Sequence, residues 1–122
     1  MQEKRKNTRE KTLWKVNIVE ENTEHFIGYL MDISEGGTKF YIDREKAKSL
    51  KKVFMVKIKP PYELDIENRT LKVEKVWDRE SHFIEMGLRF VDISEEDAGF
   101  VRYLLVEFLK DRNINVETQI LP

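Results

Sequence analysis

The sequence predicts a mainly β fold, a six-stranded antiparallel β-barrel with a C-terminal α-helix packed on it. Three observations predict it. Apolar residues recur at every second position in about six short segments, the period of a half-buried strand. The connections between those segments are brief and polar, which suits antiparallel neighbours. Helical spacing appears only once over any length, after residue 94. A chain of 122 residues is long enough for one domain with its own core and too short for a typical multidomain enzyme.

The elements follow in order. Residues 1–11 hold five cations against two carboxylates, a local charge of +3. They have no face to bury and read as an exposed basic arm. Trp14, Val16 and Ile18 then alternate with Lys15 and Asn17, the first strand, with Trp14 in the core. A polar connection at 20–24 leads to a second strand over 25–33, apolar at both parities through Phe26, Ile27, Tyr29, Leu30, Met31 and Ile33. That composition predicts a strand covered on both faces. Gly36 and Gly37 break it, and Thr38, Phe40 and Ile42 alternate with Lys39, Tyr41 and Asp43 in a third strand.

Residues 44–52 are charged and fit a short surface helix or a loop. Phe54, Val56 and Ile58 give a fourth strand, ended by Pro60 and Pro61 because proline lacks the ladder donor. Alternating segments over 64–77 and 82–91 are joined by Asp78, Arg79, Glu80 and Ser81. Ser94 reads as a helix N-cap with Asp97 three residues on. Val101, Leu104, Leu105, Phe108 and Leu109 follow as one apolar helical face, with Gly99 inside the helix. The domain is thus expected over 12–112, with 113–122 as a tail short of periodicity.

Composition excludes several functions. No cysteine is present, which removes disulfide scaffolds, thiol catalysis and thiolate metal sites. The net charge of −1 argues against a protein that coats a polyanion. No signal peptide or membrane span is visible, so a cytoplasmic protein, or a fragment of a larger chain, is expected. The two histidines, His25 and His82, lie far apart in sequence without metal-ligand spacing and read as solvated strand ends. No nucleophile–base pair emerges, so a non-enzymatic protein without cofactor or metal is expected.

Two motifs remain. Arg5 and Arg9 form R-x-x-x-R in the arm. In an extended chain they point to the same side, roughly 13 Å apart at ~3.3 Å per residue. Their planar forks suit phosphates and the O6/N7 edge of guanine. Taken alone, the spacing reads as a solubilising tail. The second motif is D-x-S-x-x-G, made by Asp32, Ser34 and Gly37 with Gly36 beside it. Period two puts the carboxylate and the hydroxyl on one strand face, and Gly37 lets a ligand or another backbone come close. Taken alone it reads as an Asp/Ser turn whose glycines supply positive φ. Asp92, Ile93 and Ser94 repeat the triplet without a glycine, where helix capping explains it.

The order of the two motifs resembles the PilZ domain family. Residues 32–40 look like that family's second motif, and Gly87, Leu88, Arg89, Phe90, Val91 and Asp92 before the terminal helix look like its closing strand. The resemblance implies a six-stranded PilZ-like barrel that binds the bacterial second messenger cyclic di-GMP. It implies that Arg5 and Arg9 clamp phosphates and guanine edges, that Asp32 and Ser34 contact a guanine, and that Gly37 keeps the approach clear. Lys4, Gly36 and Trp77 are secondary candidates. Lys4 stands where many relatives carry another arginine and lacks its fork, and the Trp77 indole either stacks on a base or caps the barrel core.

The expected function is a cyclic di-GMP receptor that orders its arm on binding and signals to a protein partner in motility, adhesion or exopolysaccharide synthesis. The alternatives are a PilZ-like interaction module without nucleotide binding and an oligonucleotide-binding barrel. The acidic Asp32 tells against the latter, because it repels a nucleic-acid backbone while suiting a guanine edge.

Overall fold

The computed structural model describes residues 13–120. Six antiparallel strands close into a barrel: β1 (Lys15–Glu20), β2 (Thr23–Ile33), β3 (Gly37–Ile42), β4 (Val53–Lys59), β5 (Leu71–Glu80) and β6 (Ile84–Phe90). Their order around the barrel is β1-β2-β3-β6-β5-β4, and β4 pairs back onto β1. Helix α1 (Arg44–Lys48) lies between β3 and β4, and helix α2 (Glu95–Ile120) follows β6. The expected barrel with its terminal helix is therefore present.

Alternation fills the interior. Val16, Phe40, Ile42, Val56, Ile58 and Val73 are among the side chains wholly shut from solvent, each from the apolar parity of its strand. Phe100, Val101, Leu104 and Phe108 on α2 join the same core. Trp14 seals the contact with the helix. Its ring meets Phe108 edge-on at 5.2 Å, and its indole Nε1 donates to Asp111 Oδ2 at 2.7 Å. Burial pushes the Asp111 carboxyl above its ordinary pKa, against the opposing effect of the Trp14 hydrogen bond.

Helix α2 begins as expected. Ser94 Oγ accepts from Asp97 N at 3.0 Å, and Ser94 N donates to Asp97 Oδ2 at 3.4 Å, a reciprocal capping box. Burial works to raise the Asp97 pKa, but the hydrogen bonds from Ser94 and from Arg69 outweigh it and hold the group low. At α1, the Asp43 carboxylate accepts from the Glu45 and Lys46 amides.

Four expectations change. Strand β2 is not covered on both faces, because Phe26 is exposed and Tyr29 and Met31 are only half-buried. Register shifts opposite Val16/Asn17 and at Leu30/Asp32 re-phase the strand instead. Ile27, Leu30 and Ile33, three residues apart, all point inward as a result. The segment 64–77 is not one strand, since residues 60–70 form an irregular connection and β5 starts at Leu71. Asp78, Arg79 and Glu80 belong to β5 rather than to a turn, and Arg79 pairs across the ladder with Glu85 at 2.7 Å, while Asp78 meets Lys75 on its own strand and Glu80 meets Arg44 of α1. Finally, the backbone assigned to a tail stays helical to Ile120. Apolar periodicity reports packing, whereas extending an established helix costs little.

Two glycines have opposite meanings. A Cβ on Gly28 would lie 1.9 Å from the Tyr41 carbonyl oxygen, while one on Gly99 meets nothing within 4 Å. Gly99→Ala should therefore stabilise the protein by about 1 kcal/mol, and Gly28→Ala should destabilise it, both read by urea unfolding. The folded pKa of Asp97 lies below its ordinary value of 3.8. Its contribution is thus present above that value and lost as pH falls through the folded one. Asp97→Ala should reduce stability at neutral pH and flatten its fall in acid, as measured by unfolding across pH.

Candidate functional site

The end of β2, the start of β3 and the middle of β5 and β6 enclose a groove of about 300 Å³ on the outer surface of the barrel. Its polar wall is the D-x-S-x-x-G segment. The shift at Leu30/Asp32 leaves Ile33 inside, with Asp32 and Ser34 outside on the groove. The expected placement of these two side chains on one face is observed.

Local hydrogen bonds fix the wall. Ser34 N donates to the Gly37 carbonyl at 2.8 Å, and Gly37 N donates to Ser34 Oγ at 3.2 Å. Asp32 Oδ1 accepts from Ile33 N at 2.9 Å. The hydroxyl of Thr38, a buried polar side chain, donates to the Asp32 carbonyl at 2.8 Å. Thr38 thus holds the backbone from which the Asp32 carboxylate projects.

Gly37 acts by space rather than by dihedral. No glycine has a positive φ, which corrects the expected left-handed turn. A Cβ on Gly37 would sit 2.3 Å from the Leu88 carbonyl oxygen, so the close approach is that of strand β6. Gly36 has nothing within 4 Å, and its carbonyl accepts from Phe90 N at 3.0 Å.

Trp77 forms the apolar wall. It does not cap the core, because it lies on the outside of the barrel with 41% of its surface exposed. A register shift between Lys75 and Trp77 turns the side chain outward. The indole lies against Gly87, where a Cβ would come within 2.3 Å of ring atoms Cε2 and Nε1. Lys39 sets its Nζ 6.0 Å from the ring centroid, at the limit of a cation–π contact. From α2, Arg112 places Nη1 3.7 Å from Asp32 Oδ1, a pair more than half exposed on both sides.

The groove thus combines a carboxylate, a hydroxyl, an ammonium group and an open indole face. A carboxylate accepts from the N1–H and N2 amino group of a guanine, and an indole stacks on any base. Of the expected site residues, Asp32, Ser34, Gly37 and Trp77 meet here. Lys4, Arg5 and Arg9 lie outside the described residues. Sequence reasoning missed Thr38, Lys39, Gly87 and Arg112. Lone Gly87 inside a strand pattern was the available signal, since such a glycine marks a close approach. His25 is exposed on β2 and His82 is exposed in the β5–β6 turn, and neither lines the groove. Among the described residues, no group of three His, Asp or Glu is arranged to hold a metal ion.

The family model of the PilZ domain matches residues 3–111. The chain belongs to the PilZ domain family. The match spans both arm arginines and every residue of the groove. PilZ domains are known as cyclic di-GMP receptors and are binding modules rather than enzymes. A search of curated proteins returned no match for this PilZ domain. No helix among the described residues is long and apolar enough to cross a membrane.

Because the indole rests on Gly87, Gly87→Ala should lift Trp77 from β6 with little change in overall stability. Acrylamide should then quench a larger share of the indole fluorescence, while Trp14, 1% exposed, remains protected. Unchanged quenching would show that Trp77 does not rest on this glycine.

Proposed function

We propose that this PilZ domain is a cyclic di-GMP receptor whose guanine seat is the groove between Asp32 and Trp77. The observation that carries the reading is the convergence, at one groove, of the D-x-S-x-x-G side chains with an exposed indole from another strand. Asp32 accepts from the guanine edge, Ser34 adds a hydroxyl contact, and Trp77 and Lys39 supply a stacking face and a cation for phosphate. Arg5 and Arg9 approach from the arm as bidentate partners of phosphate and of the Hoogsteen edge. Binding orders the arm over the groove and presents a new surface to a protein partner, in the cytoplasm where the messenger acts.

Charge balance supports a small ligand. The whole chain carries −1 while residues 1–11 carry a local +3, enough for one compact dianion and too little for a long nucleic-acid backbone. The Asp32 carboxylate adds a penalty for any polyphosphate strand laid along the groove.

Titration calorimetry with cyclic di-GMP tests the reading and gives the stoichiometry. Asp32→Ala should weaken binding about 10- to 100-fold, the loss of a charge-assisted hydrogen bond of ~1.5–3 kcal/mol. Arg5→Ala and Arg9→Ala should each weaken it as well, with the thermal midpoint unchanged. Absence of heat from folded protein would overturn the function. Unchanged affinity in all three variants would overturn the site.

A further inference from the structure

Positive charge is concentrated on one stretch of the chain. Residues 43–59 hold seven cations against two carboxylates, a local charge of +5 in a chain whose net charge is −1. Both carboxylates are engaged locally, since Asp43 caps α1 and Glu45 meets Lys48. Arg44 pairs with Glu80, and Lys57 and Lys59 share Glu24. Among the described residues, this leaves Lys46, Lys51 and Lys52 without a carboxylate partner.

Two of these three lysines stand on a groove. Helix α1, the loop after it, the end of β1 and the starts of β2 and β4 enclose about 330 Å³. Buried Ile18, Ile27 and Phe54 close its inner side, while Val53 and Met55 line it with 37% and 36% of their surface exposed. The Lys46 ammonium is fixed at the rim: it donates to the Phe26 carbonyl at 2.9 Å and stands 4.8 Å from the Phe26 ring centroid. An ammonium group has three donors, so two remain for a ligand. Lys51 lines the groove from the loop after α1, and Glu20 and His25 line it from the β1–β2 side.

We propose that this groove docks an acidic peptide segment of a partner protein, with an apolar side chain inside it and carboxylates on Lys46 and Lys51. Charge complementarity selects the occupant. An acidic segment brings the counter-charge these lysines lack, and its apolar anchor covers Val53 and Met55, an apolar surface rimmed by polar groups. The thioether of Met55 and the lysine stems adapt to such a side chain. Glu20 orients the segment, repelling its carboxylates from the hairpin side toward α1. A membrane surface fits less well, because it takes up apolar groups that protrude, and here the apolar surface is concave. The site uses the start of β2 and the guanine groove uses its end, with no lining residue in common.

Fluorescence anisotropy of the full chain without nucleotide tests the site, with a labelled peptide in which glutamates flank a single leucine. The peptide should bind, more weakly as salt rises, and replacing its leucine by serine should weaken binding. Lys46→Glu and Lys51→Glu together should weaken it about tenfold or more, with the thermal midpoint kept. Lys51→Glu alone, at an exposed position, should weaken it while leaving calorimetric binding of cyclic di-GMP unchanged, which separates this site from the nucleotide seat. Absence of peptide binding by folded wild type would overturn the proposal. So would binding that ignores the charge reversals or the leucine. Vesicles of phosphatidylserine and phosphatidylcholine that bind the chain through these lysines, where the peptide does not, would assign the face to a membrane and overturn it as well.

Discussion

Closure of a six-stranded barrel is the constraint on which this molecule depends. With β4 hydrogen-bonded to β1, no sheet edge is left open, and each strand must send one set of side chains into a narrow interior. Phe40, Ile42, Val56 and Ile58 satisfy that demand by simple alternation. Strands β2 and β5 cannot, and irregularities, two in β2 and one in β5, shift their phase. These shifts keep the interior apolar and turn Asp32 and Trp77 outward onto the same groove. The geometry of the site is therefore a by-product of how the barrel closes.

Close backbone packing then sets the groove's walls. Gly37 admits the Leu88 carbonyl and Gly87 admits the Trp77 ring, so both walls are referred to strand β6. Thr38 secures the Asp32 backbone from inside the barrel. The carboxylate and the indole consequently project from a rigid lattice of strands, which favours recognition by preorganised groups. Two cations stand near these walls: Lys39 on the outer face of β3 and Arg112 on α2.

Much of this was legible in the sequence, and the failures share a cause. Alternation located the strands, and the Ser94 and Asp97 spacing located the start of α2. The order of R-x-x-x-R and D-x-S-x-x-G pointed to the family that the match over residues 3–111 shows. Parity counting failed wherever a strand shifts phase. Leu71, Val73, Lys75 and Trp77 share a parity, so an unbroken strand would have buried Trp77, and the shift after Lys75 exposes it. The apolar residues of β2 occur at both parities for the same reason, and not because both faces are covered. The charged end of β5 resembled a turn because its polar side chains find ionic partners, Arg79 across the ladder at Glu85, Asp78 at Lys75 and Glu80 at Arg44. Contacts between distant segments, such as Arg112 with Asp32 or Trp77 with Gly87, have no local signal beyond an isolated glycine.

The proposed seat of the messenger lies between Asp32 and Trp77. The two tryptophans offer a direct readout, because each indole N–H gives its own proton–nitrogen correlation signal. Trp14 donates to Asp111 within the core and Trp77 lines the groove. Titration of nitrogen-labelled protein with cyclic di-GMP should shift the Trp77 indole signal and the amides of Ser34 to Lys39, and leave the Trp14 indole signal in place. A Trp77 signal that stays fixed at saturating ligand, with shifts clustered instead around Phe26, Tyr41 and Phe83, would contradict this placement.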